Sequence, residues 1–436
     1  MSKWPVRTLG AIAEASGGEI RTGPFGSQLH RHDYVDSLDG VPVVMPVNMV
    51  NGRVENKSIE RVDERKATEM AAHKTRAGDV LLSRRGDIGR YCIIDDSTAG
   101  SLCGTGSLRV SIQDSELMPE YLCMFLETSA GLHELQGKAV GSTMPNINAS
   151  IVKSLKLPVP PLPIQRKITA VLVAYEDLIG NNNRRIRLLE KMAQRIYREW
   201  FVDFRYPGHE DVPLVDSELG NIPDGWKVGT IGEVLEVLES GSRPKGGIDP
   251  TERGVPSVGA ENILGLGRYD FGREKFVSTS FFERMRRGRV VSGDVVLYKD
   301  GAYIGRVSLF RDGFPHDECA VNEHVFILRA NTHLSQSMMY FWLADPGNRD
   351  RVRSLNANSA QPGINQAKLR SLTLVMPPPD LVKWFTDRVE PLLAMLFNLA
   401  RSLPPLKNAR DLLLPRLMSG EIDVSDLDIV MPSEAA

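Results

Sequence analysis

Residues 76–90 read R-A-G-D-V-L-L-S-R-R-G-D-I-G-R, and residues 291–306 read V-S-G-D-V-V-L-Y-K-D-G-A-Y-I-G-R. The doubling extends outward from there. G-V-P-V-V-M-P-V-N-M-V-N-G at 40–52 is answered by G-V-P-S-V-G-A-E-N-I-L-G at 254–265. M-P-N-I-N-A-S-I-V-K-S-L-K-L-P-V-P-P at 144–161 is answered by Q-P-G-I-N-Q-A-K-L-R-S-L-T-L-V-M-P-P at 361–378. Across these blocks the offset drifts only from 214 to 217 residues. A repeat of this length is two copies of one domain, so the function is something done twice. A two-headed binder is the first expectation, ahead of an enzyme with one active site.

At 436 residues the chain is long enough for two to four domains, each with a core of its own. It is 42% hydrophobic and 25% charged, ordinary values for a soluble protein. No apolar run approaches the ~18 residues of a membrane span. The start, M-S-K-W-P-V-R-T-L-G, carries no hydrophobic signal region. Cys92, Cys103, Cys123 and Cys319 show no C-x-x-C spacing. Reduced thiols in the cytoplasm are therefore expected, with no disulfide framework and no zinc site. The net charge is −2, whereas a chain relying on non-specific nucleic-acid binding is usually basic. Any grip on DNA must come from locally gathered charge or from a partner.

Residues 1–160 alternate short apolar runs with Gly, Pro, Asn and Asp. V-P-V-V-M, D-V-L-L-S, Y-C-I-I and S-L-R-V-S-I read as strands. Tyr121, Leu122, Phe125, Leu126 and Leu132 predict a helix over about 119–135. Residues 161–204 follow as a first long helix, roughly 60 Å if unbroken. Its apolar seam is Ile164, Ile168, Val171, Tyr175, Leu178, Leu189, Met192, Ile196 and Trp200, the alternating three-and-four spacing of a coiled coil. Asn182 falls in that seam; it either fixes register as a buried polar residue or marks fraying at Asn181–Asn183. A polar, proline-rich connector is expected at 205–225, the second copy of the domain at 226–378, and a second long helix at 379–420 before a tail, 421–436.

The second helix keeps the seam through Phe385, Val389, Leu392, Leu396, Leu399, Leu403, Leu406, Leu413 and Leu417. Pro391, Pro404, Pro405 and Pro415 interrupt it. A proline inside a helix removes one hydrogen bond and crowds the preceding turn, costing ~3 kcal/mol. A kink is expected at Pro391 and a break at Pro404-Pro405. The whole reads as an α+β protein: two repeated mixed α/β domains with two long antiparallel coiled-coil helices between them, related by a pseudo-two-fold. Ile168, Tyr175, Asn182, Leu189, Ile196, Trp200, Phe385, Leu392, Leu399, Leu406 and Leu413 are the expected coiled-coil and partner-facing positions.

Catalytic chemistry is hard to find. There is no G-x-x-x-x-G-K-[ST] phosphate loop. The Asp-Pro-Pro-Tyr and Asn-Pro-Pro-Phe tetrads of amino-methylating sites are also missing. Glu55-Asn56-Lys57 lacks the preceding Pro-Asp of a nuclease site. His30, His32 and Asp33 read as an exposed loop more readily than as metal ligands. No catalytic residue and no metal site is expected in this chain.

Basic clusters do stand out. Arg84 and Arg85 follow an apolar strand, with Arg90 beyond the turn; Lys299 and Arg306 hold the corresponding places. Arg61, Arg65, Lys66, Lys74 and Arg76 are answered by Arg284, Arg286, Arg287 and Arg289. The glycine-rich turn Gly23-Pro24-Phe25-Gly26-Ser27-Gln28 has Gly241-Ser242-Arg243-Pro244-Lys245-Gly246-Gly247 as its counterpart. Such a turn either brings main chain close to a ligand or another strand, or serves structure alone. Arginine reaches two acceptors on guanine, and Lys or Arg holds phosphates. Candidate DNA contacts are therefore Ser27, Gln28, Arg31, Arg84, Arg85 and Arg90 in one copy, and Ser242, Arg243, Lys245, Lys299 and Arg306 in the other. The alternative is a solvated surface of mixed charge, since Glu60, Glu64 and Glu69 interleave the first cluster.

These residues resemble a known family. T-G-P-F-G-S at 22–27, G-D-V-L-L-S-R-R-G at 78–86, M-P-N-I-N at 144–148, P-L-P-I-Q at 161–165, W-F-V-D-F at 200–204 and L-L-L-P-R-L-M-S-G-E-I at 412–422 are similar, in this order, to the specificity (S) subunit of type I restriction–modification systems. The resemblance spans essentially the whole chain. It implies two target recognition domains, each reading half of a split site in double-stranded DNA, with the long helices as a ruler. It also implies two methyltransferase (M) subunits docked on those helices, and restriction (R) subunits joining that core. S-adenosylmethionine, ATP and Mg would be bound by the partners, which carry adenine-N6 methylation and ATP-dependent cleavage. The loops of the two copies differ, so the expected target is asymmetric. The Pro404-Pro405 pair departs from the family's smooth ruler. Competing readings are a protein-only two-headed scaffold and a self-sufficient nuclease or methyltransferase.

Overall fold

The structure, a computed structural model, describes residues 4–112, 115–138, 146–249, 251–356 and 363–429. Met144 and Pro145, Gln361 and Pro362, and the end of the tail lie outside the described residues. The chain forms two compact units, residues 1–177 with 407–436, and residues 178–406. Their boundaries fall inside the two long helices rather than at the helix ends.

In the first unit an antiparallel sheet is ordered Glu19–Thr22, Ser107–Ser111, Val80–Ser83, Tyr91–Ile93. The G-D-V-L-L-S stretch supplies its strand Val80–Ser83. Gly78 turns the chain at φ +84°, a left-handed conformation glycine adopts without steric penalty. Asp79 Oδ2 then accepts from Arg76 N at 2.8 Å. Side chains alternate faces along a strand: Val80 and Leu82 enter the main apolar cluster, while Leu81 joins Val44, Cys92 and Cys103 behind it. A second sheet pairs Val41–Val44 antiparallel with Glu60–Val62 and parallel with Leu102–Cys103. Val6–Thr8 pairs with Lys156–Pro158 and closes the domain.

The second unit repeats each step. Its sheet runs Leu235–Ser240, Val325–Ala330, Asp294–Tyr298, Val307–Phe310. Val255–Val258 pairs antiparallel with Phe276–Val277 and parallel with Ala320–Val321. Lys227–Thr230 closes on Thr373–Met376. Gly293, at φ +96°, turns into Asp294, whose carboxylate accepts from Val291 N at 2.8 Å. The quoted repeat is thus one structural device used twice.

The helix expected over 119–135 is two helices, Pro119–Glu127 and Ser129–Gln136. Thr128 between them is extended, and its hydroxyl caps the second helix by accepting from Gly131 N. Asp345 does the same between Gln336–Ala344 and Pro346–Ser354, accepting from Gly347 N. Apolar spacing carries across such a break, so periodicity alone does not reveal it. Residues expected as a loose connector contain a hairpin, Leu214–Val215 against Ile222–Pro223. The Tyr206 ring meets that of Trp226, just past the connector, in a tilted contact with centroids 5.4 Å apart. W-F-V-D-F joins this cluster, with the Phe201 ring 6.0 Å from Trp226 and 5.1 Å from Phe385.

The long helices span Leu162–Phe201 and Pro379–Ser419. Pairing is antiparallel in each unit: Glu176 meets Arg410 and Lys167 meets Ser425, just past the second helix, in the first, and Asn182 meets Ser402 and Phe201 meets Phe385 in the second. The break expected at Pro404-Pro405 does not occur; the helix is continuous through all of its prolines. Pro391, Pro405 and Pro415 sit at exposed positions, as do Asp387, Arg401 and Asp411 four residues before them. For these three prolines the carbonyls robbed of a donor lie on the wet side of the helix, where water serves; Pro404 is half-buried, and the residue four before it, Ala400, is buried. Leu393, Leu396, Phe397, Ala400 and Leu403 remain buried on the other side.

The seam of the first helix differs in phase from the expected one. Leu178 and Met192 are exposed, at 45% and 53%, while Leu172, Ile179, Ile186, Ala193 and Tyr197 are buried. Ile168, Asn182, Leu189 and Trp200 are buried as expected, and Tyr175 and Ile196 are half-buried. On the second helix Phe385 is buried; Leu392, Leu399, Leu406 and Leu413 are half-buried along the seam. Asn182 is 5% exposed, and its Nδ2 donates to Ser402 Oγ at 3.1 Å. That is a satisfied polar layer within a continuous helix, with no fraying.

Candidate nucleic-acid interface

Strands Glu19–Thr22 and Val80–Ser83 run the same way, because each is antiparallel to Ser107–Ser111 between them. The loops that follow, 23–31 and 84–90, therefore emerge at one end of the sheet. In the second unit the loops 241–249 and 299–306 emerge together for the same reason.

Gly23 and Gly241 are glycines for lack of room. A Cβ on Gly23 would lie 2.2 Å from the Gly104 carbonyl oxygen, and one on Gly241 would lie 1.6 Å from that of Val321. Close packing of main chain is observed at both glycines. Beyond Gly241, Gly246 and Gly247 do adopt positive φ, at +89° and +94°.

The basic candidates divide into two groups. Arg84 is only 7% exposed; its guanidinium lies 5.4 Å from the Phe25 ring centroid, and Nε donates to Asn146 Oδ1 at 3.4 Å. Burial, then the charge of Arg85, lowers its proton affinity. Main-chain bonds fix the correspondence between the units. Ile147 N donates to Arg84 O and Ile364 N to Lys299 O, so Arg84 matches Lys299. Ser83 N donates to Arg90 O and Tyr298 N to Arg306 O, so Arg90 matches Arg306. Arg90 Nη1 donates to Pro46 O at 3.4 Å, and Arg306 Nη1 to Ala260 O at 2.9 Å. Both staple the loop that follows the parallel-paired strand. Arg90 also meets Asp87 at 2.8 Å, Lys299 meets Asp300 at 2.8 Å, and Arg243 meets Glu323 at 2.8 Å.

The other group points outward. Ser27, Arg31 and Arg85 in the first unit, and Lys245 in the second, are exposed, and their side chains have no hydrogen bond or ion pair with a described residue. Half-buried Ser242 is equally unpartnered, and exposed Gln28 turns its Oε1 inward to Phe25 N at 3.1 Å. The second basic cluster separates the units. In the first, Arg61 donates to Gly40 O, Lys66 faces Asp33 at 3.4 Å, and Arg65 and Lys74 pair with Glu69 and Glu64, each at 2.9 Å. In the second, Arg286 and Arg287 are exposed without such partners. Gly288 beside them abuts Gly241, since a Cβ on Gly288 would stand 2.4 Å from the Gly241 Cα. Arg286 and Arg287 thereby lie next to this backbone crossing, and Lys245 follows Gly241 four residues on.

The sequence reading missed Asn48 and Asn262. Both are buried, at 3% and 1% exposure. Asn48 Oδ1 accepts from Met45 N at 3.0 Å and Asn262 Oδ1 from Gly259 N at 2.9 Å; their Nδ2 groups donate to Glu55 O and Asp270 O. The signal was present, since V-N-M and E-N-I align within the quoted repeat. His30 and His32 stack at 5.2 Å on an exposed loop. Among the described residues no group of three His, Cys, Asp or Glu side chains is placed to hold a metal, and no helix is long and apolar enough to cross a membrane.

A doubled domain with paired loops at one sheet end, followed in each copy by a long helix, can be compared with known proteins. The family model described as "Type I restriction modification DNA specificity domain" matches residues 1–191 and again 223–381. The chain belongs to this family. As a type I specificity subunit it is similar to the MjaIX specificity subunit of Methanocaldococcus jannaschii, 24% identical over 431 residues that cover 97% of this chain and 94% of that one. It is also similar to the HindI specificity subunit of Haemophilus influenzae, 24% identical over 189 residues covering 43% and 41%. The S subunit of a type I system from M. genitalium, known from a crystal structure, shares the fold with a TM-score of 0.59 at 15% identity, covering 96% of each chain. Specificity subunits are non-catalytic, so the site to be sought in this one is a binding surface.

Proposed function

We propose that this subunit reads an asymmetric, bipartite site in double-stranded DNA, one half with each unit. The observation that carries the reading is that one backbone presents different side chains at matching places. Arg84 and Arg85 stand where Lys299 and Asp300 stand, as the bridges Arg85–Asn146 and Asp300–Gly363 align them. The basic cluster is partnered at Arg61, Arg65, Lys66 and Lys74 in one unit, whereas Arg286 and Arg287 of its counterpart are open. Base edges are distinguished by side-chain donors and acceptors, so two such surfaces select two different half-sites. Arg31 and Arg85, and Lys245, Arg286 and Arg287, are candidates with exposed cationic groups that no described residue engages.

Two methyltransferase subunits dock on the long helices, and restriction subunits join that assembly. Exposed apolar side chains on the helices support this, notably Leu188, Met192, Trp384, Met395 and Leu412. S-adenosylmethionine, ATP and magnesium belong to those partners, which carry adenine-N6 methylation and ATP-dependent cleavage, and the complex works in the cytoplasm. The spacing between half-sites follows from the two helices acting as a ruler.

Long-read methylation profiling of a host carrying the system tests the reading. Methylated adenines in a two-part motif are expected, and K245A/R287A should alter one half of that motif while leaving the other intact. An unchanged methylation pattern after deletion of this subunit would overturn it. The protein-only scaffold is then the surviving alternative.

A further inference from the structure

Each unit has a cleft built from the same four parts: the loop after the parallel-paired strand, the Ile-Gly-Arg turn, the second helix of the capped pair, and a long helix. The alignment is close. A Cβ on Gly89 would meet Leu132 Cδ1 at 2.6 Å, and one on Gly305 would meet Arg349 Cγ at 3.0 Å. Leu132 therefore occupies the place of Arg349, and one turn on, Gln136 occupies that of Arg353. The charges are opposed. In the first unit the cleft is lined by Arg90 and Arg410 against Asp87, Glu127 and Asp411. In the second, a cleft of about 510 Å³ is lined by Arg268, Arg306, Arg349 and Arg353 against Glu190 alone.

We propose that the cleft of the second unit is a phosphate-binding site. Its arginines are only partly used within the fold. Arg268 pairs with Glu190 at 2.9 Å, yet its Nε is buried without an acceptor. Arg306 gives one N–H to Ala260 O, and its guanidinium lies over Tyr303, 3.9 Å from the ring centroid. Arg353 Nε donates to Ile304 O at 3.1 Å, with Asp350 3.6 Å from Nη1. Arg349 has no side-chain partner among the described residues, and its Nε is buried and unsatisfied. A buried donor without an acceptor is unfavourable, and the four guanidinium groups repel one another, with Glu190 the one carboxylate in the lining and Asp350 beside Arg353 outside it. A phosphate group removes both penalties, since its oxygens accept from several forked guanidinium groups at once. The group comes either from a DNA backbone or from a free phosphate compound; only the former rests on the DNA reading above.

Isothermal titration of the full chain with inorganic pyrophosphate tests the site. One saturable site is expected. R349L/R353Q, which installs the residues that the first unit carries at these places, should weaken binding at least about tenfold. R349K/R353K, which keeps the charge, should retain most of it, and thermal melts check that both variants fold. No saturable binding, or equal binding by R349L/R353Q, overturns the proposal. A DNA duplex then identifies the source. If duplex displaces pyrophosphate, and R349L/R353Q lowers the salt slope of DNA binding by about two with sequence preference unchanged, the phosphate is the backbone's. If pyrophosphate stays bound beside the duplex, the ligand is a free phosphate compound. Failure of sequence-selective DNA binding with pyrophosphate binding intact would overturn the proposed function and leave this site standing.

Discussion

The two units solve one problem with different residues. Each buries an aspartate at the start of its Val80–Ser83 or Asp294–Tyr298 strand. In the first unit Ser111 Oγ donates to Asp79 at 2.6 Å, with Arg109 3.9 Å away and shared with Glu19. In the second, Arg329 occupies the register position of Ser111 and donates to Asp294 through Nε at 2.6 Å and Nη2 at 2.8 Å. These hydrogen bonds to the Asp294 carboxylate raise the proton affinity of Arg329 further. A hydroxyl and a guanidinium thus complete the same turn. Main-chain geometry is what the fold requires; the side chain that meets it is open to change, and so is the charge left at the surface.

Substitutions can break or sharpen that comparison. The largest effect is expected at the shared backbone crossing. Gly241→Ala drives a methyl into the Val321 carbonyl and should destabilise the second unit by about 3 kcal/mol. Gly23→Ala, with the looser approach, should cost less; hydrogen exchange resolved by unit would measure both, and equal effects would deny the difference in fit. Next come the aspartates. Asp294→Ala strands a guanidinium and should cost about 3 kcal/mol, against about 2 kcal/mol for Asp79→Ala, read as shifts in denaturant midpoint. Asn48→Ala and Asn262→Ala each leave main-chain groups unsatisfied. They should cost about 2 kcal/mol apiece, and a large disparity would show that the loops they brace are not equivalent. The smallest effect is expected at Asn182→Leu, within ~1 kcal/mol of wild type in either direction. Its signature is loss of a single helix register, visible as doubled cross-links between cysteines placed on the two helices.

Much of this was legible in the sequence, for a physical reason. Strand and turn chemistry is local, so G-D-V-L-L-S and G-D-V-V-L-Y announce one structure twice. The phase of the first long helix was not legible, because Leu178 and Ile179 are both apolar, as are Met192 and Ala193, and spacing does not choose between neighbours. Proline argued for a break at Pro404-Pro405 because propensity is blind to which side of a helix faces water, the side on which Pro405 and Arg401 lie; the continuity through Pro404, above buried Ala400, has no such account. For the binding surface, the sequence offered basic residues without saying which were already engaged. Arg84, Arg90 and Arg306 bond to main chain or side chain up to 62 residues away, and only the fold discloses that. Asn48 and Asn262 lay in plain view inside the repeat, but a buried amide and an exposed one look alike in a string of letters.

The first unit includes residues from both ends of the chain. Leu414, Leu417, Met418 and Val424 pack into the same cluster as Leu9, Val80 and Leu122, and Lys167 Nζ donates to Ser425 O. The second unit is a single continuous segment, residues 178–406. On the ribosome, then, the domain that is begun first is finished last: its core stays open until the segment after residue 406 has emerged, while the domain begun later can already close. A nonsense mutation near residue 407 would leave the downstream unit whole and the upstream one unfinished, the reverse of what the order of the two in the sequence suggests.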